Sequence, residues 1–422
     1  MAGFVEFNQW LQKGLGRAVV YIKKHDPKPL RETVLHACTH NLTYDPQCEG
    51  DRETYLLDSI HACGDEKFFR NGLLEALTTA PRDPDAFDLG QTIALCRNFA
   101  AKGDTEMKEA MYNAVADAGF EREGYSYCEL IKLDGLPALL IAAEHFPPTI
   151  PDDQLWQVGS LIRELQDRDG EEAADEAIRR ALAESPRLAQ MLEKSRVYKH
   201  GFEPWEKGQK RVDYATVKRM IAEKPAAVLG APYAGWGKTA SQEELQTAAA
   251  DLLLERDEAR LLAYLSVFRF QPFPGPIARL LELAESSNIR LARLAVAVLS
   301  QLSNPEIRSL ALRLLGTHGK QGDGVELLTN NYQSGDFRLI ESRLREPMDV
   351  EETHHFEMGV RHLVKKHRQE EAEQCLLLLY EKGPCSLCRG QVVEDLIALN
   401  RLPEWMREEC RYDSYTCTRK LV

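Results

Sequence analysis

Apolar residues recur three and four positions apart along most of this chain, and almost nowhere do they alternate. The repeat is clearest between Pro276 and Leu315. Ile277, Leu280, Leu281 and Ala284 fall at i, i+3, i+4 and i+7 and so share one helical face. Leu291, Leu294, Ala295, Val298 and Leu302 repeat the spacing, and Ile307, Leu310 and Leu314 mark a third face. Polar residues between these stripes supply start signals: Asn288 offers an N-cap to the second helix, and Ser303-Asn304-Pro305 offers an N-cap and a proline at the first helical position of the third. Helices of about ten to fifteen residues joined by such short turns cannot each bury a stripe alone, so successive pairs must stack.

The N-terminal half carries the same grammar less regularly. Leu89, Ile93, Cys96 and Ala100 form one face, Asp104 is placed to cap the next helix, and Met107, Met111 and Ala114 continue it. Farther on, Leu155, Val158, Ile162 and Leu165 form a stripe, as do Ile178 and Leu182. Sustained period-two runs of Val, Ile and Thr are missing, so the predicted fold class is all-α. One stretch interrupts the rhythm. From Tyr198 to Thr239 come Gly201, Pro204, Gly208, Pro225, Gly230, Pro232, Gly235 and Gly237, with a single helix expected at about Asp213 to Glu223. The predicted organisation is therefore an N-terminal helical repeat segment over 1–197, a Gly/Pro/aromatic-rich linker over 198–240 and a C-terminal repeat segment over 241–422. The linker aromatics Tyr198, Phe202, Trp205, Tyr233 and Trp236 are expected to pack on the helical body.

From about Ser241 to Leu344 the sequence resembles HEAT-like α-solenoid repeats. The likeness rests on Leu- and Ala-rich helix pairs with turns such as Ala284-Glu285-Ser286-Ser287-Asn288 and Ser303-Asn304-Pro305-Glu306. It implies an α-solenoid of stacked antiparallel helix pairs that binds a partner along a groove.

Charge narrows the choice of partner. With 66 acidic and 53 basic residues in 422, the formal net charge is −13, which disfavours a protein whose main task is coating a phosphate backbone. No run of 18 apolar residues occurs, so no membrane span is predicted, and a cytoplasmic address is expected. Most of the ten cysteines sit in helical apolar patterns, as Cys96 and Cys375 do, and read as reduced core thiols.

Several constellations bear on chemistry. Gly230 to Thr239 ends in Gly-Lys-Thr, but the position that a phosphate loop requires as its first glycine is Pro232, which has no N–H, and Ser241 with Glu244 starts a helix only afterwards. Cys385 and Cys388 have metal-ligand spacing; with Cys410 and Cys417 they make the candidate zinc set, although six residues separate the second pair. His36 and His40 share a helical face, and the pair His354-His355 with His362 and His367 makes a second histidine group. Arg361, Lys365 and Arg368 fall at i, i+4 and i+7 behind the capping box of Asp349 and Glu352, a strip suited to an acidic partner or to phosphates. Finally the loop 41–52 gathers Tyr44, Asp45, Glu49 and Arg52 between two helices. Nucleophile-elbow and kinase signatures are missing.

The sequence thus predicts a non-catalytic scaffold that binds a protein partner along a solenoid groove and needs no cofactor. Arg361, Lys365, Arg368, Tyr44, Asp45 and Arg52 are its candidate contacts. Two alternatives stand beside it: a nucleic-acid-binding or DNA-repair-like HEAT protein, against which the net charge weighs, and a regulatory protein stabilised by zinc on Cys385, Cys388, Cys410 and Cys417.

Overall fold

A computed structural model describes residues 2–50, 52–79, 85–120, 126–149, 155–201, 212–223 and 231–422, and every regular element among them is helical. The helix starts follow from local hydrogen bonding. Asn288 accepts from the backbone N–H groups of Arg290 and Leu291, Asn304 from Glu306, and Asp104 from Met107. Ser241 with Glu244 and Asp349 with Glu352 close complete capping boxes. The striped residues face inward: Leu89, Ile93, Cys96, Ala100, Leu280, Ala284, Leu291, Ala295, Val298, Ile307, Leu310 and Leu314 are buried. Among the described residues, no helix is long and apolar enough to cross a membrane.

The Gly- and Pro-rich stretch is more ordered than its composition predicts. Besides Tyr214–Glu223 it contains a second helix, Ala231–Gly237, which takes in Pro232, Gly235 and Gly237. Packing overrides poor propensity here. Tyr233 and Trp236 are buried, the Trp236 indole donates to the Val212 carbonyl at 2.9 Å, and its ring lies 5.8 Å from that of Tyr214. Phe202 and Trp205 fall outside the described residues, as does the side chain of Tyr198.

The chain divides into two compact units. The first comprises Met1–Glu206, Cys385–Leu387 and Glu404–Val422; the second comprises Lys207–Pro384 and Cys388–Pro403. In the first unit, Glu53–Cys63, Ala86–Ala101, Tyr127–Asp134 and Trp156–Asp169 each pack on the next in that series. Their partners follow suit, Glu66–Thr79 on Thr105–Ala118 and Leu136–His145 on Glu171–Ala181. Each helix pair therefore rests on its neighbours. The second unit repeats the scheme through Glu258–Val267, Ile289–Leu299, Gln321–Leu328 and Val350–His367. There Gly324 lets two helices touch at backbone distance, since a Cβ on it would lie 2.4 Å from the Leu315 nitrogen.

Residues 404–422 pack with the N-terminal helices. Arg17 pairs with Glu409 at 2.6 Å, and its guanidinium lies 5.6 Å from the Trp10 ring and 5.4 Å from that of Trp405. Arg419 pairs with Asp58 at 2.6 Å, and the Ser414 N–H donates to the Gly14 carbonyl at 3.0 Å. Two glycines make room for this. Gly14 sits at φ +68° against the Ser414 side chain, and a Cβ on Gly16 would lie 1.9 Å from the Glu409 carbonyl oxygen.

Gly16→Ala is therefore expected to destabilise the protein by about 1–3 kcal/mol through overpacking alone, because the Gly16 backbone is already helical. Gly159→Ala, in the helix Trp156–Asp169 with open space around it, should stabilise by about 0.5–1 kcal/mol. Urea unfolding of both variants beside the parent measures the contrast.

Candidate functional site

The loop 41–52 is built for architecture. Asp45 caps the short helix Pro46–Glu49 by accepting from the Cys48 N–H at 3.2 Å, and Tyr44 is half-buried beside it. Arg52 is only 4% exposed; it donates to the Gln12 carbonyl at 2.6 Å and reaches Glu49 at 3.4 Å. Glu49 accepts from the Asp45 N–H at 2.9 Å and from both the backbone and the hydroxyl of Ser386, at 2.9 and 2.5 Å. Burial works against the Glu49 charge, but the Ser386 hydroxyl, Arg52 and the two backbone donors outweigh it and hold the carboxyl below its usual range. The two carboxylates thus fasten backbone and a buried guanidinium.

The Arg361, Lys365 and Arg368 strip is divided. Arg361 is 7% exposed, with Nη1 3.8 Å from Cys388 Sγ. Its charge acts on Asp395, whose carboxyl burial pushes up while Arg361, Lys365 and Arg368 pull it back. The helix ends at His367, so Arg368 lies at its C-cap, and Lys365 and Arg368 are the members that face solvent. None of the ten cysteines is in a disulfide. Cys385 and Cys410 are buried, Cys388 is half-buried with Sγ 3.4 Å from His354 Nε2, and Cys417 is exposed. Cys410 and Cys417 join no cluster of three or more metal-ligating side chains among the described residues. In the core, burial pushes the Cys63 thiol up to about 11 and that of Cys375 to about 12, so neither is a nucleophile at neutral pH. The His36 and His40 rings lie 4.0 Å apart; burial first, then His40, lowers the His36 pKa.

Two features of the first unit escape sequence reasoning. One is an ionic stripe across its successive helices. Arg97 donates to Glu53 at 2.6 Å and to Glu129 at 2.7 Å, Asn98 also donates to Glu53 at 2.6 Å, and Lys132 pairs with Glu129 from the other side. Glu129 is nearly fully buried, so its charge depends on these cations. Glu164 continues the stripe on Trp156–Asp169, its carboxyl raised by burial and by repulsion from Glu129 and Asp167. The other feature is an open groove of about 470 Å³ between Glu66–Thr79 and Thr105–Ala118. Leu74 and buried Ala110 give it apolar contact surface, and exposed Asn71, Glu75, Glu106, Glu109 and Asn113 line it with polar groups. Arg70 braces the two helices by forking onto Asp104 at 2.7 and 2.9 Å and reaching Glu106 at 2.6 Å. Such a lining can hydrogen-bond and neutralise a cationic segment. The chain matches no protein-family model, no curated protein and no solved structure.

Arg97→Ala strips Glu129 of its guanidinium and is expected to cost about 3 kcal/mol, whereas Lys102→Ala, which breaks the exposed Lys102–Glu66 pair, should cost below about 1 kcal/mol. Chemical denaturation of both variants checks the ranking. Because the Glu49 carboxyl is depressed in the folded state, its contribution is present above the ordinary carboxylate range and is lost as pH falls through the depressed value. Glu49→Gln should accordingly lower stability at pH 7 and flatten its acid limb, read as Tm against pH.

Proposed function

We propose that this protein is a non-catalytic helical-repeat scaffold that takes a basic segment of a protein partner into the groove between Glu66–Thr79 and Thr105–Ala118. The supporting observation is the lining of that groove: Glu75, Glu106 and Glu109 with Asn71 and Asn113, beside the apolar surface of Leu74 and Ala110. Lysine and arginine side chains suit such a lining because their methylene stems cover apolar surface while the charged heads reach carboxylates. Helix pairs resting on neighbouring pairs suit the solenoid form of this reading. Ten cysteines outside any disulfide suit a reducing, cytoplasmic setting. Lys365 and Arg368, exposed at the end of Val350–His367, are the cationic pair through which a second, acidic partner would bind.

Affinity purification of the tagged protein, with and without nuclease, followed by mass spectrometry, tests the reading. A stoichiometric protein partner that survives nuclease, and whose retention falls about tenfold or more in Glu75→Lys/Glu109→Lys, is the expected outcome. Full retention by that variant, or robust turnover of a substrate by the isolated chain, overturns the proposal. Lys365→Glu/Arg368→Glu serves as the separate charge reversal for the second surface.

A further inference from the structure

The second unit holds two cysteines, and their surroundings are opposite. Cys375 is buried and donates its S–H to the Phe337 carbonyl at 3.2 Å, and burial pushes its thiol up to about 12. Cys388 is half-buried in the opening turn of the helix Ser386–Ala398, where backbone N–H groups favour a negative charge. Its Sγ lies 3.4 Å from Nε2 of His354 and 3.8 Å from Nη1 of Arg361, both on Val350–His367 and both in the same unit. At that distance the imidazole is placed to take the thiol proton, and the guanidinium to stabilise the thiolate left behind. Arg361 is 7% exposed, and its Nε finds no acceptor among the described residues. Three further charged groups stand near the pair. Lys365 lies one turn beyond Arg361, Asp395 is the carboxyl on the Cys388 helix that Arg361 and Lys365 act on, and Glu357 turns to Gly383, where a Cβ would lie 2.9 Å from its Oε2.

We propose that Cys388 and His354 form a thiolate–imidazolium pair beside the Arg361 guanidinium, and that this pair makes Cys388 a site of oxidation by hydrogen peroxide. The thiolate sulfur attacks one peroxide oxygen as the O–O bond breaks. An S–O bond forms, giving a sulfenic acid, and the departing hydroxide takes the proton from His354 and leaves as water. Sulfur gives up two electrons and the peroxide accepts them. A small, neutral oxidant suits a half-buried sulfur. One thiol is consumed in each event, so this is a modification of the chain and not a turnover, and it stands independently of the partner-binding proposal.

The test uses the full chain, reduced and then freed of reductant in buffer containing a chelator. Iodoacetamide alkylation is followed at each cysteine by tandem mass spectrometry from about pH 5.5 to about pH 9. At about pH 6.5, Cys388 is expected to react about tenfold or more faster than the exposed Cys48 and Cys417. His354→Ala should slow Cys388 by about tenfold or more at that pH and move its profile up by about one pH unit or more, with Cys417 unchanged. A modest excess of hydrogen peroxide followed by dimedone should place the sulfenic adduct on Cys388, and His354→Ala should slow the loss of that thiol by about tenfold or more. Far-UV circular dichroism establishes that the variant is folded; should it fail to fold, the parent's own pH profile decides, because the rate at an ordinary thiol falls about tenfold for each pH unit below about 8. Cys388 alkylation no faster than that of Cys417 at about pH 6.5 overturns the proposal, as does a folded His354→Ala that leaves the Cys388 rate unchanged. So does peroxide that oxidises Cys48 and Cys417 ahead of Cys388.

Discussion

Most of the described helices run to four turns or fewer and are apolar on one face only, too little to be stable by themselves in water. An amphipathic helix of three or four turns draws its stability from the surface it covers. The two units answer that constraint in the same way, by resting each helix pair on another. The rest follows from this arrangement. Turns must be short and sharply capped, small residues must stand where helices meet at backbone distance, as Gly324 does, and charged side chains near the seams between pairs must find partners across them. Arg97 and Glu129 meet because the helices that carry them are neighbours in the stack, and the pair then resists any slippage of one helix along the other.

What the sequence discloses and what it conceals divide by the range of the interaction. Caps at Asn288, Asn304, Asp104, Ser241 and Asp349 involve atoms two or three residues apart, so composition and spacing are sufficient to find them. The apolar stripes were equally legible, because a 3.6-residue period is a property of one helix. The helix Ala231–Gly237 was not: proline and two glycines point away from a helix, and burial of Tyr233 and Trp236 supplies what propensity lacks.

The candidate sites fared less well for the same reason. Helical spacing places Arg361, Lys365 and Arg368 together, but it does not say which of them another helix covers; Asp395 and Cys388 lie beyond its view and account for the inward turn of Arg361. In the loop 41–52 the residue types advertise chemistry, while Glu49 and Arg52 turn out to be tied to Ser386 and Gln12, far along the chain. The ionic stripe carries no local signature at all, since Arg97 finds Glu53 and Glu129 at 44 and 32 residues' remove. A single hint was available: Arg97 and Glu164 lie on helices whose stripes, Leu89 to Ala100 and Leu155 to Leu165, the spacing marks, and charges flanking an apolar stripe are the ones a neighbouring helix can reach.

The return of residues 404–422 to the N-terminal helices bears on how the protein is made. A ribosome releases the first two hundred residues long before it has joined the amino acids that meet Gly14, Gly16 and Arg17. The first unit therefore waits, with the surface around Trp10 and Arg17 uncovered, while the whole of Lys207–Pro384 is synthesised. Folding from the N-terminus onward, the ordinary order for successive domains, cannot finish here in sequence. The nascent chain carries a seam around Trp10 and Arg17 that only its own later residues close.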